Sequence, residues 1–174
     1  GRVTIPAGEW LTGSLELKSG VELHLEKGAV LKGSVDPKDY NADDAFPENF
    51  HSVGEEWSGA HLVLAYKAED VAITGEGVID GQGPAFFDHS TFKWGFWAKP
   101  PHERPRMVQF VRCRGVRLEG VTFLDSPGWT MLIRLCEDIE ADGIKVYADQ
   151  RIINSDGIDF DGCRRVRVAH CDFK

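Results

Sequence analysis

Along much of the chain the apolar side chains fall at every second position. Val21, Leu23 and Leu25 alternate with polar neighbours, as do Val71 and Ile73, Val116 and Leu118, Ile139 and Ala141, and Val166 and Val168. A period of two puts apolar groups on one face of a strand. Gly, Asn, Asp and Pro punctuate these runs, and no long stretch has the 3.6-residue period of a helix. The pattern predicts an all-β chain of many short strands. Two stretches break it. Residues 34–63 are rich in Asp, Glu and Pro, and residues 84–105 carry Pro-Pro and Arg-Pro steps. Both read as loop excursions from a single partial domain spanning 1–174.

The strand pattern repeats. CRGVRLEGVTF (113–123), CEDIEADGIKV (136–146) and CRRVRVAHCDF (163–173) align from their cysteines, with starts 23 and 27 residues apart. Fainter copies begin at Ala68 (AEDVAITGEGVID) and Lys18 (KSGVELHLEKGAVL). A repeat of about 20–30 residues built from short strands predicts a solenoid, here a parallel β-helix. The rival for so short a period, a leucine-rich repeat, needs an L-x-x-L-x-L-x-x-N signature that is absent. In a β-helix, equivalent residues stack at the roughly 4.8 Å spacing of neighbouring strands. Cys113, Cys136 and Cys163 are therefore expected in one internal column with Ala68 beneath. Small inward-facing thiols are the simpler account; a disulfide between coils is the alternative. No C-x-x-C pair exists, which argues against a zinc ribbon.

Charge narrows the function classes. The 28 acidic against 20 basic residues give a net charge of −8, unlike a general nucleic-acid binder. No run of 18 apolar residues predicts a membrane helix, and there is no polybasic anchor. The chain opens in GRVTIPAGEW and closes in AHCDFK, both within the strand pattern, so an internal segment truncated at both ends is expected; a missing leader then says nothing about export. The six histidines, His24, His51, His61, His89, His102 and His170, show no metal-ligand spacing and receive no role.

Other clusters have plain accounts. The glycines of GEGVIDGQG (75–83) lack G-x-G-x-x-G spacing and suit coil corners that need positive φ. Arg112, Arg114 and Arg117, then Arg164, Arg165 and Arg167, are expected to stack on a solvated outer face, with attraction of an acidic polysaccharide as the alternative. Phe86, Phe87, Trp94, Phe96 and Trp97 are expected to anchor the 84–105 excursion, with a sugar-stacking cleft wall as the alternative.

NSDGIDFDG (154–162) is harder to place. Ile158 and Phe160 suit the inner face of a strand, which turns Asp159 and Asp161 outward. A bend at Gly157 would bring Asp156 to the same outer face. The D-x-D-x-D-G calcium loop does not fit, since Gly157 stands where its first Asp would be, and no metal or cofactor is expected. Clustered carboxyls also serve hydrolysis of a sugar link, one protonating the leaving oxygen and another activating water. Solvation or turn capping remains the alternative from spacing alone.

These segments together resemble the polygalacturonase family of glycoside hydrolases, family 28, whose members are right-handed parallel β-helices. The likeness runs nearly end to end, through VTIPAGEWLTGSLELKSGVELHLEKGAVLKGSVDPKDY, ITGEGVIDGQG, RPRMVQFVRCRGVRLEGVTFLDSPGWTM and NSDGIDFDGCRRVRVAHCDF. The last resembles the family's first catalytic motif, Asn-Thr-Asp-Gly, with Ser155 for Thr. The resemblance implies that Asp156 is the first catalytic aspartate, positioning or activating water, with Asn154 as its polar companion and Trp129 as a substrate contact. It does not imply a catalytic role for Asp159. The family's adjacent aspartate pair, its Gly-His-Gly and its Arg-x-Lys motifs would fall past Lys174; Asp43-Asp44 lies coils too early. The implied activity is inverting hydrolysis of α-1,4-galacturonosyl links in pectin by a secreted or periplasmic parent. The isolated chain is expected to be inactive, and to aggregate or fold only partly. A pectate-lyase-like enzyme and a non-catalytic carbohydrate-binding β-helix are the alternatives.

Overall fold

A computed structural model describes residues 1–41, 60–100 and 104–174. The strands run in chain order as β1 (Arg2–Ile5), β2 (Gly8–Thr12), β3 (Leu15–Glu16), β4 (Glu22–Leu25), β5 (Ala29–Gly33), β6 (His61–Tyr66), β7 (Glu69–Gly75) and β8 (Val78–Asp80). They continue as β9 (Asp88–Lys93), β10 (Phe96–Ala98), β11 (Arg106–Val111), β12 (Arg114–Glu119), β13 (Thr122–Leu124), β14 (Met131–Arg134), β15 (Glu137–Asp142), β16 (Lys145–Tyr147), β17 (Ile158–Asp161), β18 (Arg164–Ala169) and β19 (Asp172–Phe173).

Apart from β9 and β10, these strands form three parallel sheets. Sheet I is β1-β4-β7-β12-β15-β18, sheet II is β2-β5-β8-β13-β16-β19, and sheet III is β3-β6-β11-β14-β17. Each coil visits III, I and II in turn and then climbs one strand, as in β11-β12-β13 followed by β14-β15-β16. This is the expected right-handed parallel β-helix, the hand that right-twisted strands impose on parallel crossovers.

The period-two residues are the core. In sheet I, Leu23, Ile73, Leu118, Ala141 and Val168 fall in one register column. The first four are buried and Val168, on the final coil, is exposed. The cysteine column forms as expected. The amide N–H groups of Arg114, Glu137 and Arg164 donate to the carbonyls of Ala68, Cys113 and Cys136, at 3.0, 3.0 and 2.9 Å, climbing one coil at each step. Cys113 N–H lies 3.2 Å from Cys136 Sγ, and Cys163 Sγ donates to Ile133 O. All four cysteines are free thiols, with Cys113 and Cys136 buried and Cys163 and Cys171 half-buried.

Coil corners need a left-handed residue, and the chain supplies it at matching positions. Lys67, Arg112, Leu135 and Gly162 immediately precede the four members of the column, with φ of 51°, 53°, 53° and 63°. At the corner between sheets I and II, Gly75 is the case where only glycine fits. Its φ is 114°, and a Cβ there would lie 1.9 Å from Leu25 O.

The excursions need two corrections. The 34–63 excursion is shorter than expected at its end, because β6 already begins at His61; its residues 42–59, including Asp43, Asp44 and His51, lie outside the described residues. The 84–105 excursion is not irregular. It contains a short 3₁₀ turn over Gly83–Phe86 and the antiparallel hairpin β9–β10, closed by Trp94 and Gly95 at φ 60° and 90°; His102 lies outside the described residues. Two positive-φ residues in a two-residue loop give a turn that matches strand twist. Lys-Trp-Gly-Phe lacks the usual Asn-Gly signal, so alternation alone did not reveal it.

Candidate active site

Among the described residues, the joins of six residues or more run between sheets II and III. Residues 34–60, 81–105, 125–130 and 148–157 each leave a sheet II strand and return on a sheet III strand. Their described residues lie on successive coils, so these gather at one corner. Trp129 is on the third of these segments, and Asn154 and Asp156 are on the fourth.

The fourth segment is fixed by its own side chains. Asp149 accepts from the Arg151 guanidinium through both oxygens, at 2.8 and 2.5 Å, and that bond holds its carboxyl below the usual range. The Arg151 guanidinium stacks 4.4 Å from the Trp97 ring, and the backbone amide N–H of Trp97 donates to the Arg151 carbonyl at 3.0 Å. Ile152 is buried among Phe86, Phe87 and Trp97. Anchoring is thus the role of Phe86, Phe87 and Trp97, whereas Trp94 and Phe96 are exposed, Trp94 at 86%.

The chain then reverses at Asn154, half-buried at φ 61°, a conformation Asn tolerates. Asp156, two residues on, is exposed. Its carbonyl accepts from Thr130 N–H at 2.8 Å, and the Gly157 carbonyl accepts from Met131 N–H at 3.1 Å. Those two bonds start the pairing of β17 on β14.

Beyond the bend, Ile158 and Phe160 pack against the core, as alternation predicts. Asp159 and Asp161 take the outer face. Asp161 pairs with Arg134 at 3.1 Å. Asp159 stands in the outer column of Leu132, Gln109 and Leu64, and its Oδ2 is buried without a hydrogen-bond partner. Burial pushes the Asp159 carboxyl above the usual range; repulsion from Asp156 adds to this and Arg106 opposes it.

Sequence reasoning missed the cations under this site. Arg106 is buried, stacks 5.2 Å from the Trp129 ring and donates from Nη1 to Gln109 Oε1 at 2.7 Å. His61 Nε2–H donates to the same oxygen at 2.5 Å. Burial pushes His61 down to about 3, aided by Arg106, so it is neutral at ordinary pH. Arg104 is also buried, and burial lowers its guanidinium to about 10, which leaves it charged at neutral pH. The available signal was the pair of arginines flanking Pro105 at the start of the buried strand MVQFV.

The arginine rows stand elsewhere, on the outer face of sheet I. They are not on adjacent coils. Arg114 pairs in register with Glu137 and Glu137 with Arg164, while Arg117, Glu140 and Arg167 form the next column on the outer face of sheet I. An acidic coil therefore separates the two basic ones. Asp138 lies within reach of Arg165 and Arg114, and the Arg165 hydrogen bond holds it down to about 2. An open hollow of about 600 Å³ on this sheet is lined by Glu22, Ala72, Gly115, Arg117, Asp138 and Glu140, none of which belongs to the Asp156 corner. Among the described residues, no three His, Cys, Asp or Glu side chains group to hold a metal ion. No helix among them is long and apolar enough to cross a membrane.

Comparison with known proteins agrees with this fold. The chain is 32% identical over 171 residues to a protein from Vitis vinifera described as "Probable polygalacturonase", covering 96% of this chain and 33% of that one. It is 25% identical over 168 residues to an endo-polygalacturonase of Pectobacterium carotovorum, covering 92% of this chain and 41% of that one. Among solved structures, a hyperthermoactive exopolygalacturonase from Thermotoga maritima superposes with a TM-score of 0.77 at 28% identity, over 100% of this chain and 45% of the other. The chain thus spans between a third and a half of the length of these relatives. The profile described as Glycosyl hydrolases family 28 matches residues 1–174, and the chain belongs to that family.

Proposed function

We propose that this chain is part of an enzyme that hydrolyses α-1,4-galacturonosyl links in pectin or polygalacturonate, with Asp156 as one of its catalytic carboxyls. The observation that carries the proposal is the placing of Asp156: exposed, at the corner where the long segments gather, and bonded through its backbone to the residue after Trp129. Family membership and relatives named polygalacturonase support the substrate class.

In an inverting glycosidase, one carboxyl activates water and a second protonates the leaving oxygen, roughly 6.5–9.5 Å away. Asp156 suits the first role because its exposed carboxylate can hold a water. Asn154 and Trp129 flank it as substrate contacts, the indole offering a face for a sugar ring. We assign the general acid to the family's adjacent aspartate pair, which these 174 residues do not supply outside Asp43-Asp44. A secreted or periplasmic setting follows for an enzyme whose polymer lies outside the cell.

The test is reducing-sugar release from polygalacturonate by the full-length protein. Asp156→Asn should lower the rate by roughly 10²–10⁴-fold, the usual contribution of a positioned acid or base. An unsaturated, ultraviolet-absorbing product would instead mark a lyase, and an unchanged rate in Asp156→Asn would remove that residue from the mechanism.

A further inference from the structure

Arg104 joins three of the four segments that meet at the Asp156 corner. Its Nη1 donates to Pro127 O at 2.6 Å and to Ile153 O at 2.9 Å. Its guanidinium carbon lies 5.2 Å from the centre of the Phe87 ring. Pro127 is two residues before Trp129, Ile153 is the residue before Asn154, and Phe87 belongs to the aromatic anchor of the 81–105 segment. One nitrogen thus bonds both the strand-entry loop that carries Trp129 and the loop that carries Asp156.

The choice of residue is informative. Arg104 is 7% exposed, and its partners among the described residues are two carbonyls and a ring face, with no carboxylate. A buried cation without an acid partner is costly to desolvate, and an apolar side chain of similar volume would often stabilise such a site better. What guanidinium offers instead is a rigid planar fork that fixes the positions of the oxygens it binds. Fixing two loops on adjacent coils fixes the spacing of the groups they carry. Catalysis is sensitive to that spacing, since a displacement of about 1 Å can cost roughly 100-fold in rate.

We infer that Arg104 is a positioning residue, setting the Asn154–Asp156 loop against Trp129 through the carbonyls of Ile153 and Pro127. It does not touch substrate. The inference rests on the proposed hydrolase function for its kinetic consequence, while its structural consequence stands alone.

The experiment uses the full-length protein with Arg104→Lys and Arg104→Met, in two arms. Kinetics on polygalacturonate are measured well below each variant's melting temperature. Arg104→Met should lose about 10–100-fold in kcat with a smaller change in KM, and Arg104→Lys, which can still reach one carbonyl, should recover part of the loss. Peptide-resolved hydrogen exchange is measured in parallel. Exchange should rise in 126–131 and 151–157 in both variants while the coil interior, such as 106–111, stays protected. Wild-type kcat and KM in a folded Arg104→Met, or unchanged exchange in both loops, would overturn the inference. If Arg104→Met fails to fold, Arg104→Lys carries both arms. If the wild-type protein releases no reducing sugar, the hydrolase reading fails, and the exchange arm alone decides for or against Arg104.

Discussion

The carbonyl of Asp156 accepts the amide N–H of Thr130 across one coil step, at 2.8 Å. Thr130 follows Trp129 directly, so the proposed carboxylate and the aromatic contact are set by one rung of the ladder. The same rung begins sheet pairing for β17. The proposed chemistry and the fold therefore share a bond at this point.

Gly75 should tolerate no side chain. At φ 114° an L-residue is strained, and the added Cβ would meet the backbone oxygen of Leu25 at 1.9 Å. Gly75→Ala should cost at least about 3 kcal/mol, through strain and forced displacement of a neighbouring coil. Urea unfolding of the full-length protein measures it; a loss under about 1 kcal/mol would mean that the corner relaxes.

His61 should make the protein acid-labile above the carboxylate range. The unfolded chain binds a proton at this residue below about pH 6.5. The folded chain does so only near 3. The unfolded state then holds more protons between those values, so stability falls as pH drops through this window, by on the order of 2 kcal/mol at pH 5. In His61→Gln, melting temperature should be flatter between pH 6.5 and 5 than in wild type.

Asp159 should show the opposite sign. Its folded carboxyl is raised, so the folded state keeps a proton that the unfolded chain releases. Its contribution is favourable at low pH and is lost as pH rises through the raised value. Asp159→Asn should therefore raise the melting temperature more at pH 7 than at pH 4. Equal shifts at both would show that its burial carries no charge penalty.

The thiol column should resist modification. Cys113 and Cys136 are buried, whereas Cys163 and Cys171 are half-buried, and none is in a disulfide. Alkylation of the native protein, read peptide by peptide, should leave Cys113 and Cys136 unlabelled until denaturant is added. Recovery of a Cys113–Cys136 crosslinked peptide would contradict the free-thiol column.

The 174-residue chain expressed alone should self-associate and show no hydrolase activity. Val166, Val168 and Phe173 on the final coil are 39%, 45% and 47% exposed, beside the unpaired edges of β17, β18 and β19. Raw sheet edges with exposed apolar rows are templates for further pairing. Sedimentation should show large species; a monomer with a sharp, reversible melt, or one that releases reducing sugar, would refute this.

Much of the fold was legible because a solenoid writes its geometry into spacing. The alternation of Val116 and Leu118 and the repeat of Cys113, Cys136 and Cys163 report direct stacking contacts. The outward turn of Asp159 and Asp161 followed from the same alternation. The corners were less visible, because Lys67, Arg112 and Leu135 hold left-handed φ where sequence reading looks for glycine. Hydrogen bonding on both sides of each coil imposes that conformation, and no local signal records it. Arg104 and Arg106 were missed for a related reason. A charged side chain is ordinarily read as solvated, and only three-dimensional packing shows that these two are buried beneath the loops they hold.

Two of the three corners are made mostly by tight, matched turns, while among the described residues the third carries the longest joins. Length can therefore be added at the third without disturbing the rungs above or below. A helix of this kind separates a regular spine from an exchangeable rim. Grafting a different loop between sheets II and III would change what the rim grips while leaving the spine to fold as before.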